Sequence, residues 1–219
     1  MIEDVVIFGA GGHAKEIAYL IEEINRYKKT WNLLGFIERD NSNKDAYNGN
    51  YQVIGDENYL VNSKIKNAVI AIGTPNIVQK IHQRISNLNT NLKFPNIIHP
   101  DISKKMSRNQ IGAGNIICEG NIFTTDISIG SFNCFNRACN ISHDCVIEDY
   151  CIINPGVNIS GGVKLRSNCL IGTGATILQY LEIGKGATVG AGSLAARDVE
   201  AGTTVVGVPA RVARKKENA

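Results

Sequence analysis

The sequence predicts two folds in series. A small α/β half domain of Rossmann type covers residues 1–98, an all-β parallel β-helix covers 99–206, and 207–219 form a cap and basic tail. Three observations predict this. Up to residue 98, apolar strand-like runs alternate with runs at helical spacing. A glycine turn joins the first strand to the first helix. From Ile111 a strict six-residue period takes over.

Taken in order, "EDVVIF" (3–8) is a short β-rich run, and "HAKEIAYLIEEINRY" (13–27) places Ile17, Leu20, Ile21 and Ile24 on one helix face. "NLLGFIE" (32–38) and "YQVIG" (51–55) read as strands. "NAVIAIG" (67–73) is fully apolar, the type of strand buried on both faces of a parallel sheet. Pro75 then opens a helix from its favoured first-turn position, and "FPNIIHP" (94–100) ends the half. About 100 residues make one mononucleotide-binding half of a doubly wound fold.

Beyond this half, every sixth residue from Ile111 to Val189 is large and apolar, through Ile117, Phe123, Ile129, Phe135, Ile141, Ile147 and onward. Two places before these lie compact residues, among them Cys139, Cys145, Cys151, Val157, Val163, Cys169, Ala175 and Ala187. A hexapeptide period means coils of three short strands, with the large residues stacked inside a prism. Four of the six cysteines fall in the small interior slot, where a thiol acts as a small hydrophobe. Val199 and Val205 continue the period as a frayed last coil, and Arg197, Asp198 and the segment after Gly207 supply cap material.

Composition narrows the function. The 219 residues are 43% hydrophobic and 20% charged, with net charge +3, which allows a real core and demands no nucleic acid. The basic cluster in "ARVARKKENA" reads as a solvated tail. Glycines arrive too early for a signal peptide, and no apolar run is long enough to span a membrane, so a cytoplasmic protein with reduced thiols is expected. The cysteines lack paired spacing, so no metal site is expected.

Two features carry chemistry. His143 stands two places after Ile141, so it points out of the prism, and Asp144 follows it. Histidine, with an ordinary pKa of about 6.5, suits proton removal from an attacking group, and an aspartate can orient it. From residues alone the pair is equally a structural contact between subunits. Gly161 leaves its N–H approachable to a developing oxyanion, or merely turns a corner. The second feature is "GAGGHA" (9–14), a G-x-G-x-x-A phosphate turn in which Gly9 and Gly11 admit a pyrophosphate to the helix N-terminus. It would equally suit a dinucleotide with Glu38 on the ribose, but the α/β half is short and the β-helix supplies no dehydrogenase site.

Hexapeptides followed by "VVGVPARV" resemble the left-handed β-helix acyltransferases. "VVIFGAGGHAKEIAYLI", "LLGFIERD", "VIAIGTPNIVQKI", "IIHP" and "ISHDCVIEDYCIINPGVNISGGVKL" extend the resemblance over nearly the whole chain. They are similar to sugar acetyltransferases with an α/β domain ahead of the β-helix. That group includes N-acetyltransferases of nucleotide-linked 4-amino-sugars and the sialic acid O-acetyltransferase type.

The resemblance implies a left-handed coil and a homotrimer with active sites at subunit interfaces. Acetyl-CoA would be the co-substrate and a nucleotide-linked amino-sugar the acceptor, in surface glycan biosynthesis. It implies His143 as base, Asp144 as its orienting acid and Gly161 as the donor to the acetyl oxygen. Asn136, Gly9, Gly11, Gly12, His13, Glu38, Arg39, Gly73 and Thr74 match acceptor positions. Thr173, Gly190 and Ala191, with Gly161, match positions along the pantetheine arm. The chain departs from the pattern in three places. Asp144 replaces the usual Glu, Ile152 stands where some members have a second histidine, and Arg39 replaces a second acid. An O-acetyltransferase of sialic acid or a related sugar is the alternative, and a non-catalytic trimeric nucleotide-sugar scaffold a distant one.

Overall fold

The computed structural model describes residues 2–39, 51–61, 63–88, 91–103 and 106–213. The first unit runs β1 (Glu3–Phe8), α1 (Gly12–Tyr27), β2 (Trp31–Ile37), β3 (Val53–Gly55), α2 (Glu57–Val61), β4 (Asn67–Ile70) and α3 (Pro75–Asn87). Its strands are parallel, in the order β3-β2-β1-β4. Strand order reverses between β1 and β4, and that switch point opens a crevice at the carboxyl ends of both. Val5, Val6 and Ile7 are wholly buried, and α1 covers them with Ile17, Leu20, Ile21 and Ile24. The expected strand over 67–73 stops at Ile70 because its partner β1 ends at Phe8. One more bond, from the Ala71 N–H to the Phe8 carbonyl, closes the pairing before the chain turns out through Gly73.

β5 (Ile97–Ile98), expected to end the α/β half, pairs instead with Ile116–Ile117. After α4 (Pro100–Ser103), fifteen two-residue strands recur every six residues, from β6 (Gln110–Ile111) to β20 (Leu194–Ala195). Each strand pairs in parallel with the one 18 residues on, as Cys134–Phe135 does with Ile152–Ile153. The result is a left-handed parallel β-helix with one eight-stranded and two five-stranded sheets. The second residue of each strand points inward, and Phe135, Ile153, Leu165 and Ile171 are wholly buried.

The interior cysteines are packing residues. Cys139, Cys145, Cys151 and Cys169 each place Sγ 3.2 Å from a backbone carbonyl oxygen. Burial pushes the Cys139 thiol up to about 11. The corner between strands falls three residues after each large residue. There the backbone turns left-handed, at a glycine or at Asp126, Phe132, Ala138, Asp144, Tyr150, Asn168 or Tyr180.

The far end is capped as the sequence suggests. Val199 bridges to Ile183, and the Asp198 carboxylate accepts the Glu182 N–H at 2.8 Å. β21 (Thr204–Gly207) pairs with the last coil, and β22 (Ala210–Val212) folds back on it antiparallel. Arg214, Lys215 and Lys216 of the basic tail lie outside the described residues.

The two units share a seam. Along the eight-stranded sheet the outward residues Ile116, Cys134, Ile152 and Leu170 are apolar and pack into the α/β core. Beside them His82 of α3 sits 3.9 Å from Phe132 between ring centroids, with Nδ1 2.8 Å from the Tyr150 hydroxyl. Arg137 ties the β-helix to α1 through Glu16 at 2.9 Å and holds Glu119 at 3.0 Å. No helix among the described residues is long and apolar enough to cross a membrane.

Candidate active site

His143 and Asp144 occupy the corner after the strand Asn140–Ile141. The strand buries Ile141, so the next residues turn outward, and the His143 side chain is 53% exposed. Asp144 takes the left-handed corner position at φ 60°. That turn brings its carboxylate back onto the ring, with Oδ2 2.8 Å from His143 Nδ1. The shorter acid therefore reaches. With a carboxylate accepting at Nδ1, that nitrogen carries the proton and Nε2 is left bare as a base.

Gly161 lies one coil beyond, directly against the imidazole. A Cβ there would sit 2.5 Å from His143 Cε1 and 2.6 Å from Nε2. Only glycine leaves room for the ring. The Gly162 N–H bonds the His143 carbonyl at 2.8 Å, which fixes the two coils in register.

Asn136, Thr173, Gly190 and Ala191 stand elsewhere on the prism. They share the corner between the eight-stranded sheet and the five-stranded sheet that contains Asn140–Ile141. His143 and Gly161 hold the opposite corner of that five-stranded face. Asn136 is 7% exposed and faces Asn154, with Nδ2 3.5 Å from Oδ1. Gly190 packs against the β21 strand, where a Cβ would meet Val206 at 2.7 Å. Thr173 and Ala191 are exposed.

The α/β residues gather at the carboxyl edge of the sheet. Gly9, Gly11 and Gly12 follow β1, Glu38 and Arg39 follow β2, and Gly73 and Thr74 follow β4. Gly11, Gly12 and Gly73 have nothing within 4 Å of a Cβ position, so the crevice wall is bare backbone. Glu38 Oε1 accepts the Ala10 N–H at 2.6 Å, binding the end of β2 to the turn. Arg39 is exposed. His13 points away from the crevice into the seam, with Nε2 3.6 Å from Cys134 Sγ and Nδ1 3.6 Å from Glu16. Burial lowers its pKa against the pull of Glu16.

Reading the residues one by one misses the seam and the left-handed corners. The seam does have a signal: an apolar outward residue every 18 places, at Ile116, Cys134, Ile152 and Leu170, where the other faces carry Asn140, Asn158, Lys164 and Glu182. Ile152, where some related chains have a histidine, is 1% exposed because the α/β unit covers it. Among the described residues no cluster of three or more His, Cys, Asp or Glu is placed to hold a metal ion.

Residues 4–85 match the PglD N-terminal domain. No curated protein matches the sequence. Among solved structures, PerB from Caulobacter crescentus, in complex with CoA and GDP-perosamine, is 25% identical with TM-score 0.85, covering 98% of this chain and 99% of its own. The acetyltransferase domain of PglB from Neisseria gonorrhoeae FA1090, in complex with acetyl coenzyme A, is 27% identical with TM-score 0.83, covering 97% and 100%. WeeI from Acinetobacter baumannii AYE is 28% identical with TM-score 0.80, covering 96% and 100%. Residues 4–85 thus match the PglD N-terminal domain, and nearly the whole chain has the architecture of the hexapeptide-repeat sugar acetyltransferases.

Proposed function

We propose that this chain transfers the acetyl group of acetyl-CoA to the amino group of a nucleotide-linked amino-sugar. The observation that carries the reading is the His143 imidazole, oriented by Asp144 at 2.8 Å and seated on bare Gly161. The bare-backbone crevice of the α/β unit supports a nucleotide-linked acceptor, as does the GDP-perosamine bound to PerB. Acetyl coenzyme A bound to the PglB domain supports the donor.

In this reaction the acceptor nitrogen attacks the thioester carbonyl, and a C–N bond forms as the C–S bond breaks. His143 Nε2 takes the proton lost by the amine and returns it to the departing CoA sulfur. Asp144 holds the ring and stabilises its transient charge. The Gly161 N–H, which meets no protein acceptor among the described residues, faces the carbonyl oxygen as its charge grows.

One chain sets His143 and Gly161 on one prism corner and Asn136, Thr173 and Ala191 on the next. A ring of three copies would face one corner against the other and close the cleft between them. The Arg137–Glu16 pair at 2.9 Å ties α1, which opens at the glycine turn, to the coil that carries Asn136, which supports a path for the sugar from the crevice to that corner. The reaction belongs in the cytoplasm, where the six free, buried thiols stay reduced. Its acetylated product is a precursor for surface glycans.

The test is thiol release by purified protein with acetyl-CoA and a panel of GDP-, UDP- and dTDP-linked amino-sugars plus sialic acid, with His143→Asn alongside. Turnover on a nucleotide amino-sugar, lowered at least about a hundred-fold in the variant, is expected. Turnover on sialic acid alone would replace the reading with O-acetylation. Silence across the panel, with no CoA binding, would leave a scaffold.

A further inference from the structure

Walking from Gly161 toward the C-terminus, the same corner next presents Leu178, Gln179 and Tyr180. Tyr180 is 75% exposed, the most exposed of the large apolar and aromatic residues among those described. Its backbone is in the left-handed corner conformation at φ 59°, and its N–H bonds the Gly161 carbonyl at 2.9 Å. The ring lies over Gly162, where a Cβ would meet Cδ1 at 2.4 Å and Cε1 at 2.6 Å. The glycine pair 161–162 is therefore flanked by two rings, His143 on one residue and Tyr180 on the other.

The same device recurs on the seam. There Phe132, also left-handed, lies over Gly114, and it is covered by His82 of α3 and stacked with Tyr150. A ring set against a glycine in this prism makes a shelf, and on the seam that shelf carries another part of the chain. Tyr180 is a shelf with no such cover among the described residues.

Charge says what belongs on it. A donor whose thioester sits at Gly161 must leave along the corner in one of two directions. Toward the N-terminus it meets the carboxylates of Asp144 and Asp126, 67% and 55% exposed, with Arg108 3.8 Å from Asp126. Toward the C-terminus it meets Leu178, the Tyr180 ring and exposed Arg197, while Asp198 is turned onto the Glu182 N–H. A long arm ending in phosphates is repelled in the first direction and accommodated in the second.

We infer that Tyr180 is the positioning residue for the acyl donor, its ring carrying the thioester end of the pantetheine arm and holding the acyl carbon at Gly161. The inference rests on the acetyl-transfer reading. The phenol hydroxyl is not required; the ring face is.

The experiment is calorimetric titration of the full chain with CoA, paired with steady-state kinetics. It compares wild type with Tyr180→Phe and Tyr180→Asn, asparagine being chosen because it tolerates the left-handed corner. Tyr180→Phe should keep donor affinity. Tyr180→Asn should weaken CoA binding about ten-fold and raise the donor KM alike, leaving the acceptor KM unchanged. Equal CoA affinity in Tyr180→Asn and wild type would overturn the inference alone. So would a rise in acceptor KM, or loss of the oligomer by sedimentation, since Tyr180 would then be an acceptor or subunit contact. Wild type that binds no CoA would overturn the acetyl-transfer reading and this inference with it.

Discussion

At the residue scale, the site depends on what is missing from Gly161 as much as on what His143 brings. A single methyl there would occupy the space of the imidazole, 2.5 Å from Cε1. Gly161→Ala should therefore fold and lose at least about ten-fold in kcat, because the ring must swing off Asp144. Circular dichroism and calorimetry beside the rate measurement would check this, and unchanged kcat would remove His143 from the chemistry. The outward direction of His143 was legible in the sequence from its place two residues after Ile141, but its chemical role came only from the family resemblance. Its contact with Gly161 was legible only through the period: three hexads separate the two residues, so they must stack. Asn136 illustrates the opposite limit. Its spacing to His143 is short, yet the strand Asn140–Ile141 separates them onto two corners.

At the element scale, each two-residue strand is too short to be stable alone, and its neighbours 18 residues away on either side hold it. The inward residues supply the energy. Ile153, wholly buried in the middle of the stack, should cost about 3 kcal/mol when cut to alanine, measured as a fall in the denaturation midpoint. The six-residue period made this half readable almost to the residue. The α/β half was readable in its two long helices, where α1 and α3 stand where helical spacing and Pro75 put them, whereas the five-residue α2 has too short a pattern to show a helical period. Strand ends were harder. Ile97–Ile98 has the same local character wherever it pairs, and only tertiary packing assigns it to the β-helix.

The seam between the elements adds a pH dependence. Burial lowers the pKa of both His13 and His82 below the ordinary histidine value. The folded state thus binds fewer protons than the unfolded chain as pH falls through about 6.5. The sign follows: the seam is at full strength above that pH and weakens below it, down to the folded-state values. Thermal midpoints measured between pH 8 and pH 5 should fall on the acid side. Replacing His82 by phenylalanine, which the surrounding Phe94, Phe132 and Tyr150 can accept, should flatten part of that fall.

At the scale of the whole molecule, the proposed function divides the site between two corners of the prism. His143 and Gly161 mark one prism corner; Asn136, Thr173 and Ala191 mark the next, beside the docked α/β unit. The central claim is that the corner of one copy completes the corner of another. Co-expressing two differently tagged chains, one His143→Ala and one with the opposite corner blocked by Ala191→Trp, tests it directly. Each variant alone should be inactive. In mixed trimers purified through both tags, about one site in three should pair an intact His143 corner with an intact Ala191 corner, because a closed ring of either 2:1 composition contains one such contact. Recovery of about a third of wild-type activity is the predicted result. Mixed oligomers with no activity would mean that each chain builds its site alone, and would contradict the account.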